Sequence, residues 1–245
     1  QSVSPQYEAE EKITVNGNVD LYAVVFNRTT ETDLTEDQLP QVDIYKYKQV
    51  IFVGDSRTEF MENVLTGMGE SATKNVKFVC SAGKGLDWFT TTGWAQLYSI
   101  VQHDSNSILS KKTAVIFNFG VNDLSKSADY AEYYNWIAPQ LKSKGCELYF
   151  MSVNPVNRLM LSNAGRADRS EAAVRSFNQY MKANLSSAYT YIDMYSYLKS
   201  TGYSFASDHY GTGTVDDGLH YTTRTYKRIF AKCMDSLRVK NSDRL

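Results

Sequence analysis

From Tyr47 onward the chain alternates between two patterns of apolar and polar positions. Short, near-continuous apolar runs recur as "QVIFVG" (49–54), "NVKFVC" (75–80), "TAVIFNFG" (113–120), "CELYFMSV" (146–153) and "AYTYIDM" (188–194). Between them lie stretches with apolar residues at helical spacing, over 57–66, 93–109, 129–143 and 170–186. A last helical stretch runs from Thr222 to Val239 and sets Ile229, Phe230 and Cys233 on one face. Apolar runs without alternation belong to strands buried on both faces, and the helices between them are the crossovers that parallel strands require. Right-handed crossovers then put helices on both sides of the sheet, which predicts a doubly wound α/β sandwich. In such sheets a ligand binds outside the carboxyl ends of the strands. Those ends are Gly54-Asp55-Ser56, Ser81-Ala82-Gly83, Gly120-Val121-Asn122-Asp123 and Ser152-Val153-Asn154-Pro155.

Residues 1–45 read differently. "KITVNGNVDLYAVVFNR" holds two β-prone runs around Asn16-Gly17-Asn18, a hairpin signal, and a polar, acidic connection follows. This segment is too short to bury a core alone, so it is expected to be an appendage packed on a main domain of residues 46–245.

Composition narrows the function classes. A formal charge of −1 gives no electrostatic drive toward nucleic acid or an anionic membrane. No apolar run approaches the roughly 18 residues that span a bilayer. Cys80, Cys146 and Cys233 are widely spaced and odd in number, without a zinc or redox spacing. "AGKG" lacks the remainder of a phosphate-binding loop, "GTGTVDDG" does not match the dinucleotide fingerprint, and both read as turns. The start at Gln1, without methionine, favours a secreted or cell-surface protein over a cytoplasmic one.

The chemistry lies at the strand ends. Ser56 follows the first strand and precedes a helix, so it is placed to cap that helix, to act as a nucleophile, or both. A serine nucleophile needs a base, and the chain has three histidines, His103, His209 and His220. His220 follows Asp217 by three residues across a tight turn, a spacing that lets a carboxylate reach the imidazole Nδ1–H; Asp216 is the alternative partner. Acyl transfer also needs donors for a developing oxyanion, and the Ser56 N–H, a glycine N–H after the second strand and the Asn122 amide qualify by type.

"GDS" at Gly54–Ser56, a glycine after the second strand, "GVND" at Gly120–Asp123 and "DGLH" at Asp217–His220 occur in that order. This set resembles the SGNH hydrolases, also called the GDSL esterase/lipase family, over roughly residues 48–240. It looks closest to the small bacterial branch that reads "GDSR … SVNPV … DGLHYT". The resemblance implies a three-layer α/β/α, flavodoxin-like sandwich with a five-stranded, mainly parallel sheet. It implies Ser56 as nucleophile, His220 as base and then acid, and Asp217 as its orienter. The oxyanion donors would be the N–H groups of Ser56 and Gly83 and the Asn122 amide, with Gly85 as the alternative glycine. No metal or organic cofactor is implied. Two departures from the family pattern are Arg57, after the serine, and Asn118, inside a strand that is usually aliphatic.

The expected activity is hydrolysis of a short-chain ester, such as acetyl on a carbohydrate, through an acyl-enzyme. Arg57, Trp88 and Asn154 are candidate substrate contacts, although Arg57 is as well explained by pairing with Glu59, Glu62 or another structural acid. The expected partner is a small-molecule or carbohydrate ester. Two alternatives use the same residues: an O-acyltransferase with an alcohol acceptor, and a non-catalytic carbohydrate- or wall-binding module. The sequence carries no signal of oligomeric state.

Overall fold

The computed structural model describes residues 33–42, 46–104, 112–157, 161, 169–206 and 218–239. The five apolar runs form β1 (Tyr47–Gly54), β2 (Val76–Cys80), β3 (Lys112–Asn118), β4 (Cys146–Met151) and β5 (Tyr189–Ile192). They make one sheet in the order β2-β1-β3-β4-β5, and every pair is parallel. The principal helices are α1 (Ser56–Thr66), α2 (Trp94–Asp104), α3 (Ser127–Ser143), α4 (Glu171–Asn184), α5 (Met194–Thr201) and α6 (Thr223–Val239).

Side chains alternate across each strand, and both faces are apolar, so two cores form. Ile51, Val53, Phe117 and Phe150 pack with Leu97 of α2, Ile137 of α3 and Phe177 of α4. Val50, Phe52, Ile116 and Tyr149 face the other way, against Met61 of α1, Leu198 of α5 and Phe230 of α6. The result is the three-layer α/β/α sandwich. Phe52 illustrates the packing: its ring lies 5.6 Å from that of Phe78 and 5.8 Å from that of Phe230. Truncating such a residue to alanine costs about 3–5 kcal/mol.

Local chemistry moved several boundaries. β3 stops at Asn118 rather than 120, because Gly120 turns the chain at φ +130° with the Phe177 ring against its Cα. The run "AYTYIDM" is strand only to Ile192, since Asp193 accepts from Ser196 N–H and starts α5. That helix lies outside the stretches expected from the sequence, because "MYSYLKST" is short and carries many β-prone residues. Before α2, helical residues Leu86–Trp88 lead into a π-helical stretch, Phe89–Gly93, so the helix begins earlier than expected.

The expected hairpin at Asn16-Gly17-Asn18 lies outside the described residues. Within 33–42, Leu39 and Val42 are buried in the core beside α1, and Asp33 pairs with Lys227 of α6 at 3.0 Å. No helix among the described residues is long and apolar enough to cross a membrane.

Candidate active site

Register brings the strand ends to one level. Gly54 of β1 pairs with Cys80 of β2 on one side and Asn118 of β3 on the other. β2 lies to one side of β1 and β3 to the other, so the loops after β1 and β3 diverge and leave a crevice at the sheet's switch point. Glycine is required at 54 by packing: a Cβ there would overlap Thr58 Oγ1 and lie 2.8 Å from the Asn118 carbonyl. Asn118, unexpectedly polar for a strand, donates from Nδ2 to Thr58 Oγ1 at 3.2 Å and so ties β3 to the first turn of α1.

The helix cap is Asp55, not Ser56. The Asp55 carboxylate accepts from Arg57 N–H at 3.0 Å, and Ser56 is the first residue of α1. Burial pushes the Asp55 carboxyl up to about 6, with the Arg57 charge acting in the opposite direction. Because Asp55 does the capping, the Ser56 hydroxyl is available for another partner, and that partner is His220. The two side chains are 164 positions apart, yet Ser56 Oγ lies 2.8 Å from His220 Nε2. Ser56 is 5% exposed and His220 1%. The Phe60 ring meets the imidazole edge-on, 4.9 Å between centroids, and limits its tilt.

The segment bearing His220 is held by its backbone. Gly218 carbonyl accepts from Asn157 N–H at 2.8 Å, His220 carbonyl from Ala206 N–H at 2.9 Å, and Thr222 N–H donates to Ser204 carbonyl at 2.9 Å. Tyr221 stacks on Phe205 and donates its hydroxyl to the Pro155 carbonyl. Asp217, Asp216 and His209 lie outside the described residues, and His103 belongs to the last turn of α2.

Arg57 is turned inward, and its described partners are backbone carbonyls rather than Glu59 or Glu62. It is 2% exposed, and its three nitrogens donate to backbone carbonyls: Nε to Leu219 at 3.0 Å, Nη1 to Asn154 at 2.9 Å and Nη2 to Pro155 at 3.0 Å. Its guanidinium also lies over the Tyr221 ring, 5.2 Å from the centroid. Arg57 therefore binds together the start of α1, the loop after β4 and the chain entering His220.

The second and third strand ends are joined by Asn122 and Asp123. Asn122 Nδ2 donates to the Lys84 carbonyl at 2.8 Å. Asp123 accepts from Leu86 N–H at 2.9 Å and from the Tyr130 hydroxyl at 2.7 Å; burial raises the Tyr130 pKa and keeps it a donor. This distinguishes the two glycines. A Cβ at Gly85 would overlap the Asp123 carboxylate, whereas Gly83, at φ +70°, has open space over its Cα. Trp88 is half-buried, with its ring against Phe119 and against Gly93, which is core packing. Asn154 is 1% exposed, and neither amide atom has a hydrogen-bond partner among the described residues.

Sequence reasoning missed Arg169, which donates to Val121 carbonyl at 2.8 Å and Asn122 Oδ1 at 3.0 Å. It stands in the polar stretch "NAGRADRSE", where nothing in spacing or residue type links it to a strand end 47 positions away. Among the described residues, no cluster of three or more His, Cys, Asp or Glu side chains could hold a metal ion.

The arrangement offers a serine hydroxyl hydrogen-bonded to an imidazole at a helix start. The GDSL-like Lipase/Acylhydrolase family model matches residues 50–233. No curated protein sequence matches. Among solved structures, a protein described as an SGNH hydrolase from Slackia heliotrinireducens superposes with a TM-score of 0.52 at 14% identity, covering 78% of this chain and 100% of its own. A protein described as an acylhydrolase from Bacteroides fragilis gives 0.52 at 16% identity, over 84% of this chain and 93% of its own. The acetyl xylan esterase AlAXEase gives 0.50 at 11% identity, over 77% and 99%. At these identities the structural likeness speaks for the fold.

Proposed function

Because the chain belongs to the GDSL-like lipase/acylhydrolase family, of the SGNH type, we propose that it is a serine esterase that cleaves a short acyl ester through an acyl-enzyme. The observation that carries the reading is the 2.8 Å bond between Ser56 Oγ and His220 Nε2, two buried side chains 164 positions apart.

In the proposed reaction His220 takes the Ser56 proton as Oγ attacks the acyl carbonyl. The oxyanion is held by the Ser56 N–H, which a helix start leaves without an intrahelical partner, by the Gly83 N–H and by Asn122 Nδ2. The open space over Gly83 supports it over Gly85, whose Cα is covered by Asp123. His220 then gives the proton to the leaving alcohol, and the same imidazole activates the water that cleaves the acyl-enzyme. Asp217 is the proposed partner of His220 Nδ1–H, fixing the tautomer and stabilising the imidazolium.

For substrate we propose acetyl or a similarly small acyl group on a carbohydrate. Ser56 and His220 are both nearly buried, which favours a small acyl group over a long chain. A protein sharing this fold, AlAXEase, is an acetyl xylan esterase. Asn154 is a candidate substrate contact, since a buried amide without a partner costs about 1–3 kcal/mol unless something bonds it.

The test combines an activity-based probe with an ester panel. A fluorophosphonate is expected to label the wild type and not Ser56→Ala, and p-nitrophenyl acetate to be cleaved faster than long-chain esters. Labelling that persists in Ser56→Ala would locate the reactive serine elsewhere. No labelling of the wild type would favour a binding module on this fold, and faster cleavage of long chains would overturn the acyl-size assignment.

A further inference from the structure

Asn122 is held at both ends of its amide by partners with a single hydrogen-bonding role. A guanidinium has donors and no acceptor, and a backbone carbonyl accepts without donating. Oδ1 must therefore be the atom facing Arg169 Nη2, at 3.0 Å, and Nδ2 the atom facing the Lys84 carbonyl, at 2.8 Å. The reverse orientation would set Nδ2–H against the guanidinium and Oδ1 against a carbonyl oxygen, two repulsive contacts in place of two bonds. One Nδ2–H goes to Lys84, and the other is left for a ligand. Arg169 also donates from Nε to the Val121 carbonyl at 2.8 Å, so it grips two consecutive residues of the loop after β3. Its own position is set by the neighbouring start of α4, where Ser170 caps the helix by accepting from Ala173 N–H.

We propose that Arg169 is a positioning residue for the oxyanion site, holding the Asn122 amide with its free N–H toward the reacting carbonyl and strengthening that donor. The inference rests on the assignment of Asn122 as an oxyanion donor. Two effects are at work. The first is orientational: without Arg169 the amide can rotate half a turn and present its oxygen to the developing negative charge. The second is electronic: a charge-assisted bond to Oδ1 draws electron density from the amide and makes Nδ2–H a better donor. Arg169 thus acts on the transition state through Asn122 and touches no substrate atom.

A double-mutant cycle tests this, with kcat and KM measured for p-nitrophenyl acetate on wild type, Arg169→Met, Asn122→Ala and the double variant. Removing one oxyanion donor lowers kcat by roughly 10²–10³-fold, so Asn122→Ala is expected in that range. Arg169→Met is expected to lower kcat about 10- to 100-fold while KM changes little. In the Asn122→Ala background, Arg169→Met is expected to have less than about a twofold further effect, because the group it acts through is gone. Arg169→Lys is expected to recover part of kcat, since one donor can still reach Oδ1. Should Arg169→Met fail to fold, Arg169→Gln replaces it in the same cycle. Equal losses in both backgrounds would overturn the inference and make Arg169 merely structural. So would an unchanged kcat in Arg169→Met beside a slow Asn122→Ala. A wild-type rate in Asn122→Ala would overturn the assignment of Asn122 and the inference with it.

Discussion

Arg57 Nε donates to the Leu219 carbonyl at 3.0 Å, and these two residues are the chain neighbours of Ser56 and His220. The Ser56–His220 bond is therefore backed by a second link one residue outward on each side. A side-chain bond between distant segments is only as precise as the backbone under it, and the guanidinium, which also holds Asn154 and Pro155 carbonyls, supplies that backbone restraint.

Arg57→Ala would remove the guanidinium donors to the Leu219, Asn154 and Pro155 carbonyls, of which Pro155 keeps the Tyr221 hydroxyl. An unsatisfied buried group costs about 1–3 kcal/mol, so a loss of at least that size is expected. Arg57→Lys should recover part of it, as an ammonium cannot reproduce the planar fork. Urea denaturation measures the stability, and fluorophosphonate labelling should slow in both variants, because the backbone under Ser56 and His220 loses its restraint.

His220→Ala removes the only described partner of the Ser56 hydroxyl while leaving the backbone bonds at Gly218, His220 and Thr222 in place. The expected result is a fall in kcat of about 10⁴-fold or more, with an unchanged far-ultraviolet circular dichroism spectrum. Asp217→Asn is expected to lower kcat strongly as well, and His209→Ala to leave it close to wild type.

Asp55 gives a pH dependence of stability. Its folded-state value, about 6, is above the ordinary 3.8 because burial disfavours the ionised carboxyl. A raised pKa means the folded state holds the proton more tightly, so the contribution is full below about pH 4 and lost as pH rises through about 6. Asp55→Asn keeps an oxygen to cap Arg57 N–H and cannot ionise. Relative to that variant, the wild type should lose on the order of 3 kcal/mol between pH 4 and 7. Paired urea titrations across that range give the difference directly.

The two glycines after β2 should respond differently to alanine. Gly83→Ala meets no atom but places a Cβ at φ +70°, a left-handed conformation costing about 1–2 kcal/mol. Gly85→Ala must displace the Asp123 carboxylate and with it the bonds to Leu86 N–H and Tyr130, a larger loss. Melting temperatures are expected in the order wild type, Gly83→Ala, Gly85→Ala.

Asn154 separates folding from substrate contact. Its amide has no partner among the described residues, so Asn154→Leu removes a desolvation cost and should leave stability within about 1 kcal/mol of wild type, or above it. If the amide meets substrate, kcat/KM for an acetylated sugar should nonetheless fall.

What the sequence determined by itself was whatever is written locally. The sandwich was legible because strands buried on both faces must be apolar throughout, and "VIFV" and "TAVIF" are. The Ser56–His220 pair was legible because "GDS", "GVND" and "DGLH" each sit at a strand or helix boundary and keep their residue types together. Tertiary structure alone decided which residue capped α1, since Ser56 and Asp55 are equally good caps until His220 is brought to one of them. It alone assigned Arg57, because its partners are backbone carbonyls, which leave no trace in residue type, and the nearest of them is 97 positions away. The same holds for Asp123 on Leu86 and Arg169 on Asn122. Hydrophobic patterning specifies which segments are strands, but which polar groups meet at their ends depends on how distant loops pack.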